Sequence, residues 1–173
     1  DWTQVTVTYD VRLNHSFLRA QMYMSTVGQT VLFDGAVLAP GSNRRERHLF
    51  TGVTPARLLD TRPSGLTIDG ISQRAGLRPA ATTTEVAVAG RGNIPGSPAG
   101  VSLSIVAVTP QTSGFITVWP CGVTRPTAST FNYTAGQTIA GTTLLTPGTA
   151  GKICIYNSSA TNIILDTSGY FGV

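Results

Sequence analysis

The chain contains 173 residues, of which 41% are hydrophobic and only 12% are charged. This length is sufficient for one full domain, or for one domain with a small appendage. The charged fraction is well below the roughly 25% typical of soluble domains. Together with 19 glycines and 10 prolines, it argues against a helical protein, whose exposed faces usually carry ion pairs. No apolar run is long enough to predict a membrane span, and the apolar content is too high for a disordered chain.

The net charge of +4 does not predict a nucleic-acid-binding protein. Apart from Arg44, Arg45 and Arg47, the basic residues are scattered along the chain. Tracking the phosphates of a nucleic acid requires a dense stripe of cations, because affinity scales with the number of phosphates neutralised. We therefore predict no nucleic-acid partner.

Residues capable of acid–base or nucleophilic chemistry are few. Both histidines, His15 and His48, lie in the first 50 residues, and no nucleophile-elbow or metalloprotease motif occurs. The glycine-rich segment 90–96 resembles a phosphate loop only superficially, because its spacing differs and no helix is predicted after it. We predict that the protein is not an enzyme and has no catalytic residues, no cofactor and no metal site.

The first 50 residues contain strand patterns. Apolar side chains occupy every odd position from Val5 to Leu13, which is the period of a half-buried strand. Further along, two apolar runs flank Asp34 and Gly35, a dipeptide typical of a two-residue hairpin turn. Residues 51–56 interrupt the pattern. The sequence thus predicts a strand-rich appendage over residues 1–50, or the end of a preceding β-domain, and a separate module over residues 54–173.

Within the second module, short strand-like segments follow one another. Residues 63–83 lack periodicity and predict a surface loop of about 20 residues, a length that often marks functional or flexible loops. Beyond this loop, turn signals such as Pro147-Gly148 separate the apolar segments. This spacing predicts an all-β protein with an antiparallel β-sandwich, either jelly-roll or immunoglobulin-like.

Cys121 and Cys154 are the two cysteines of the chain. Their separation fits neither a Cys-x-x-Cys redox motif nor a four-ligand zinc site. Because each lies near a strand-like run, we predict a disulfide that joins two strands; the alternative is two buried free thiols. A disulfide would favour an oxidising, extracellular location.

The densest polar cluster contains Arg57, Asp60 and Arg62. Strict strand alternation places Arg57 on one face and both Asp60 and Arg62 on the other. Asp60 and Arg62 are then neighbours on the same side. They could contact a polar ligand, since the guanidinium fork binds carboxylates and sugar hydroxyls, or they could form a structural ion pair before the turn at Pro63.

Four aromatic residues are candidates for stacking against a carbohydrate: Trp119, Tyr133, Tyr156 and Tyr170. The alternative is that Trp119 and Phe115 alternate into the core, because both share one strand face with Thr117, and aromatic side chains usually bury large areas. Of the four candidates, Trp119, Tyr133 and Tyr156 join the arginine cluster as the predicted ligand-binding residues.

From Thr54 onward the sequence resembles a domain common in secreted actinobacterial proteins and their phages. The similarity covers about 120 residues in order, and it begins with the sequence Pro-Ala-Arg-Leu-Leu-Asp-Thr-Arg. The matching segments are 55–62, 92–95, 101–110, 114–120, 132–138 and 166–171. Members of this family are non-catalytic modules attached to cell-wall hydrolases, surface proteins and virion proteins, and the resemblance supplies no catalytic residues.

Two functions are therefore expected. The first is a structural and adhesive protein on the exterior of a virion, as a capsid decoration, tail or fibre protein, or on the surface of an actinobacterial cell. The second is a carbohydrate-binding module that attaches to cell-wall glycan. The expected partners are that glycan or neighbouring virion and surface proteins. Self-association as a homo-oligomer is also expected, because the alternating strand of residues 5–13 suits addition to the edge of a sheet.

Overall fold

The computed structural model of the protein describes residues 49–172. The strand patterns predicted before residue 49, and both histidines, lie outside the described residues. Within them the chain forms eight strands and one 3-10 turn at Thr149–Gly151, and no helix there is long and apolar enough to cross a membrane. The strands are β1 (Phe50–Asp60), β2 (Thr82–Ala87), β3 (Gly100–Val108), β4 (Gly114–Pro120), β5 (Phe131–Tyr133), β6 (Ile139–Leu145), β7 (Lys152–Asn157) and β8 (Asn162–Phe171).

The eight strands form two antiparallel sheets of four strands each. Sheet I has the order β1-β8-β3-β6, and sheet II has the order β2-β7-β4-β5. The pairs β1–β8, β2–β7, β3–β6 and β4–β5 are those of one long hairpin folded over on itself, which is the jelly-roll arrangement. The predicted all-β antiparallel sandwich is confirmed, and its strand order is that of the jelly roll rather than the immunoglobulin-like alternative.

The hydrophobic core lies between the two sheets. In β3, Val101, Leu103, Ile105 and Ala107 are completely buried, whereas the residues between them are only half-buried. Successive side chains of a strand point to opposite faces, so this alternation places one face of β3 in the core. The other completely or almost completely buried members of the core are Leu58, Leu59, Val86, Val88, Ile116, Ile153, Ile155, Ile163 and Leu165.

The boundary predicted at residues 51–56 falls inside β1. This strand begins at Phe50, which pairs with Phe171 of β8, and the two rings lie 5.4 Å apart. Between the paired residues Gly52 and Ala56, β1 is longer than β8, so the strand is bulged there and accommodates Pro55. Pro55 thus lies in a bulge of this strand, and Gly52 is the paired residue before it. The division into an appendage and a module stays a prediction.

The two edges of sheet I differ in how they are covered. The loop predicted over residues 63–83 is found at residues 61–81, and it runs beside the free edge of β1. The Ile68 N–H donates to the Arg57 carbonyl over 3.0 Å. The Arg74 N–H donates to the Asp60 carbonyl over 2.7 Å. At the opposite edge, β6 pairs with β3 alone, and no loop of the described chain forms a backbone hydrogen bond with β6.

Candidate functional site

A bulge in β1 brings Arg57 and Asp60 to the same side of sheet I. Arg57 pairs with Asp166 of β8, and Leu59 pairs with the next residue, Leu165, so Leu58 is an extra residue in β1. Leu58 and Leu59 are both buried in the core. Strict alternation predicted Arg57 and Asp60 on opposite faces, and this was wrong because the bulge shifts the alternation by one residue.

Four side chains form what we call the ion-pair chain, in the order Arg62, Asp60, Arg57 and Asp166. Asp60 accepts hydrogen bonds from Arg62 Nε at 2.9 Å and Nη2 at 2.7 Å, and from Arg57 Nη1 at 3.2 Å. Arg57 also donates to both carboxylate oxygens of Asp166, over 2.8 and 3.1 Å. The predicted proximity of Asp60 and Arg62 is confirmed. Asp166 is the member that the sequence did not place in this cluster.

The ion-pair chain is held in its charged form. Burial of Asp60 opposes its ionisation, but the hydrogen bonds and charges of Arg62 and Arg57 outweigh burial and lower the pKa of this carboxyl group. The hydrogen bond to Asp166 raises the pKa of Arg57, and the hydrogen bond to Asp60 raises the pKa of Arg62. All of these shifts move the pKa values further from neutral pH. The cluster is therefore poorly suited to proton transfer, which requires a pKa near the working pH.

The carboxylate of Asp60 has no exposed surface, whereas Arg57 and Asp166 are about one-third exposed. Those two residues line an open depression of about 300 Å³ together with Pro55, Ala56 and Leu66. A ligand in this depression could reach Arg57 and Asp166. It could not reach the Asp60 carboxylate, whose partners are the two arginines. The geometry fits the structural ion-pair alternative for Asp60, and ligand contact by Arg57 and Arg62 stays a prediction.

A second charged cluster, the Arg91 clamp, consists of Arg91 and its acceptors. The Arg91 side chain is only 7% exposed, and it donates to both carboxylate oxygens of Asp69 over 2.7 and 2.8 Å. It also donates to the carbonyl oxygens of Ala87, Leu58 and Ile71 over 2.8 to 3.1 Å. The clamp thus ties loop 61–81 to β1 and to the end of β2. Sequence reasoning missed it, because the segment 90–96 was examined only as a phosphate loop.

Acid is expected to weaken the Arg91 clamp. The hydrogen bond from Arg91 lowers the pKa of Asp69 from 3.8 to about 2, against the opposing effect of burial. A carboxyl group with a depressed folded-state pKa stabilises the fold above its unfolded-state pKa, and this stabilisation is lost as the pH falls through the folded-state pKa. Because Asp69 is 29% exposed, we expect a loss of about 1–2 kcal/mol between about pH 5 and pH 2.

Urea unfolding across this pH range would measure the loss. The Asp69→Asn variant should show a smaller loss than the wild-type protein, because it lacks the titrating carboxyl group. An equal pH dependence in both proteins would contradict the assignment to Asp69.

The aromatic candidates occupy different environments. Trp119 is 7% exposed and donates its Nε1 proton to the Val123 carbonyl over 3.1 Å. Tyr133 is 4% exposed and lies in the core between the sheets. Neither ring offers an exposed face for a sugar, because tertiary packing covers both. Tyr156 and Tyr170 are both half-buried. Tyr156 lies in sheet II beside the ring of Phe115, whereas Tyr170 lies in sheet I and packs against the core.

Around Tyr156, a small aromatic surface forms on the outer face of sheet II. The Phe115 and Tyr156 rings lie 5.8 Å apart, and the guanidinium of Arg125 lies 3.7 Å from the centre of the Tyr156 ring. Trp119 packs beneath this surface with the two cysteines, outside the core between the sheets. The core alternative proposed for Trp119 is thus right about burial, although the ring faces away from the main core.

The predicted disulfide between Cys121 and Cys154 is confirmed. It joins the residue after β4 to the middle of β7, the neighbouring strand in sheet II. Glu85 lies within 4.8 Å of both sulfur atoms, but disulfide sulfurs are not the thiolate ligands that metal ions require. Glu85 instead accepts a hydrogen bond from Lys152 over 3.1 Å.

Removing the disulfide is expected to destabilise the fold by about 2–4 kcal/mol, because its closed loop of 33 residues restricts the unfolded chain. The measurement is denaturant unfolding of the oxidised protein and of a Cys121→Ser, Cys154→Ser double variant. Addition of a reductant should lower the midpoint of the wild-type protein and leave that of the variant unchanged. Equal midpoints for oxidised wild type and variant would contradict the prediction.

In comparisons with known proteins, no protein-family model and no curated protein sequence matched this chain. The resemblance described above therefore stays a prediction from sequence motifs.

Proposed function

We propose that this chain is a non-catalytic structural and adhesive protein of an extracellular surface: a capsid decoration, tail or fibre protein of a virion, or a surface protein of an actinobacterial cell. The observation that carries the proposal is the edge of β6, which no other strand or loop within residues 49–172 covers and which offers a site for assembly. The disulfide is compatible with an oxidising location. The acidic side chains of the described chain, Asp60, Asp69, Glu85 and Asp166, all form ion pairs, which favours a structural role for them.

Strand β6 lacks the features that usually prevent edge-to-edge pairing. Natural edge strands are protected by charge, proline, bulges, short length or a covering loop. β1 has bulges, Pro55 and a covering loop, β2 contains Glu85, and β5 has only three residues. β6 has seven residues, Ile-Ala-Gly-Thr-Thr-Leu-Leu, without charge, proline or a register shift against β3. Its edge is therefore the most open in the described chain.

A second copy of β6 is a suitable partner for this edge. Antiparallel pairing about a two-fold axis at Thr142 would place Ala140 opposite Leu144 and Thr142 opposite its own copy. No like charges meet in this arrangement, although the whole chain carries a net charge of +4. The exposed Leu144 side chain, 60% accessible in the monomer, would gain a cross-strand neighbour.

The test is the oligomeric state of the full chain, measured by analytical ultracentrifugation over a range of concentrations. Thr142→Lys should weaken association by at least about tenfold, because two like charges would face each other across the axis. Thr83→Lys on β2 is the matched control, since it also places a lysine at an exposed edge-strand position, and it should have no effect. A monomer at all concentrations, or an oligomer indifferent to Thr142→Lys, would contradict assembly through β6.

The alternative function is a carbohydrate-binding module for cell-wall glycan. The observation that favours it is the surface formed by Phe115, Tyr156 and Arg125, because aromatic faces pack against the C–H groups of sugars. Cosedimentation with purified actinobacterial cell walls would test it. Saturable binding by a monomeric protein that is lost in Tyr156→Ala would favour this function over assembly. Trp119→Ala is a poorer probe, because removing a buried ring also destabilises the fold.

A further inference from the structure

Loop 61–81 exposes four large aliphatic side chains to solvent. Leu66 is 59% exposed, Ile68 62%, Ile71 55% and Leu77 45%. They make up four of the eight large hydrophobic residues that are exposed in the described chain. Single exposed aliphatic residues are normal, but a concentration of them on one loop marks an interaction surface.

The loop is held in place, so its aliphatic side chains are presented in a fixed arrangement. The Thr67 hydroxyl donates to the Ile71 carbonyl over 2.8 Å, and Arg91 donates to the same carbonyl over 3.1 Å. The Ile71 N–H donates to Asp69, and the Ile68 N–H donates to β1. These backbone groups are thus hydrogen-bonded within the protein. These groups of Ile68 and Ile71 would therefore keep their partners if the two side chains moved into an apolar phase.

The same loop carries unbalanced positive charge. Each carboxylate of the described chain has a cationic partner, whereas Arg74, Arg78 and Arg125 have no carboxylate within ion-pair distance in residues 49–172. Arg125 lies over Tyr156, so the other two unbalanced arginines are both on loop 61–81. Arg74 Nε donates to the carbonyl of Gly65 over 3.3 Å, which places this charge beside Leu66.

We propose that loop 61–81 binds an anionic lipid surface. The exposed aliphatic side chains would enter the boundary of the acyl layer, and the exposed Arg74 would contact the phosphate oxygens of the headgroups. Arg78 is half-buried, with its Nε inside the protein, so it would add to the positive charge of the loop more than to direct contacts. Apolar side chains combined with cationic ones are the features that bind proteins to such surfaces. The inference goes beyond the proposed function, because neither β6 nor the Tyr156 surface takes part in it.

Charge distinguishes this partner from a second copy of the chain. A two-fold contact between two such loops would bring Arg74 and Arg78 of one copy close to the same residues of the other. The one acidic residue of the loop, Asp69, is already paired with Arg91 and would not balance them. A neutral apolar protein surface would offer neither arginine an anionic partner. An anionic lipid surface satisfies the apolar and the charged groups together.

The experiment is flotation of the full chain with vesicles of phosphatidylcholine, with and without phosphatidylglycerol. We expect binding to the anionic vesicles that weakens as salt is added. Ile68→Ser should reduce partitioning by about tenfold, because an aliphatic side chain no longer leaves water. Arg74→Gln should reduce it about fivefold on the anionic vesicles. Val123→Ser is the matched control, because Val123 is 63% exposed on a different loop, and it should bind as the wild type does.

Thermal unfolding of each variant would verify that the fold is intact, which is expected because the altered side chains are exposed. Equal flotation with neutral and anionic vesicles, or no flotation with either, would overturn the proposal. So would equal losses in Ile68→Ser and Val123→Ser. If Ile68→Ser instead dissociates an oligomer in ultracentrifugation and leaves flotation unchanged, the loop is a protein interface and the lipid proposal is wrong. A failure of Thr142→Lys to affect assembly would bear only on the proposed function.

Discussion

Replacement of Arg91 by alanine is expected to destabilise the module by about 3–5 kcal/mol, because it removes the charged partner of a partly buried carboxylate. Asp69 would lose two hydrogen bonds, and the carbonyl groups of Leu58, Ala87 and Ile71 would each lose a donor. An unsatisfied buried acceptor is costly by itself, so the losses reinforce one another. Urea unfolding followed by circular dichroism would measure the change in the free energy of unfolding.

Two further variants separate charge from geometry in this experiment. Arg91→Lys keeps the charge but lacks the planar fork that reaches several acceptors at once, so it should recover only part of the lost stability. Arg125→Ala is the control for removing an arginine, since this side chain contacts the half-buried ring of Tyr156 and has no carboxylate partner in the described chain, and it should cost less than about 1 kcal/mol. A loss of less than about 1 kcal/mol in Arg91→Ala would show that water replaces the arginine at its acceptors.

Replacement of Asp60 by alanine is expected to destabilise the module by about 2–3 kcal/mol, because the buried carboxylate is removed from two guanidinium groups that are themselves more than one-third exposed and partly solvated. Without it, Arg57 would retain Asp166, but Arg62 would have no carboxylate partner in the described chain. The backbone at Gly65 lies so close to Asp60 that a Cβ there would stand 2.5 Å from the Asp60 carboxyl carbon. Alanine would remove the carboxyl group from this contact and leave a gap beside Gly65.

Asp60→Asn and Asp166→Ala provide the comparisons for this prediction. Asp60→Asn keeps the shape and one acceptor, so it should cost less than alanine. Asp166 is 31% exposed, and solvent screens its interaction with Arg57, so Asp166→Ala should cost about 1 kcal/mol or less. Chemical unfolding of all three variants would rank them. If Asp166→Ala were as destabilising as Asp60→Ala, the buried carboxylate would not be the centre of the ion-pair chain.

The sequence predicts those elements whose environment follows a simple period. In β3 every second residue is buried, so the alternation of Val101, Leu103 and Ile105 with serines predicts both the strand and its inner face. The disulfide was also predictable, because Cys121 and Cys154 each lie beside a strand pattern. The sandwich was predictable as well, because many short strands separated by turns are typical of that architecture. The assignment of each strand to a sheet depends on contacts distant in the chain, and local pattern does not contain that information.

The candidate site was predictable only in part. Asp60 and Arg62 are two residues apart, so their proximity is local, although β1 ends at Asp60 and Arg62 lies in the bend that follows it. Arg57 joins them because Leu58 is an extra residue opposite β8. The adjacent leucines Leu58 and Leu59 interrupt the alternation there, but the sequence does not show which of them is the extra residue. The pairing of Arg91 with Asp69 joins two irregular loops, and no periodic pattern connects residues 22 positions apart. The burial of Trp119 under the segment containing Val123 likewise depends on how that loop folds back.

The pairing of the first strand with the last has a consequence for how the module could be tethered. Phe50 and Phe171 are partners, so the described chain enters and leaves at the same pole of the sandwich. A linker or host protein joined to either end would therefore hold the module at that pole. Strand β1 extends away from that pole for eleven residues and ends at Asp60, where loop 61–81 begins. A module mounted in this way would direct the distal end of its longest strand outward, toward whatever the carrier approaches.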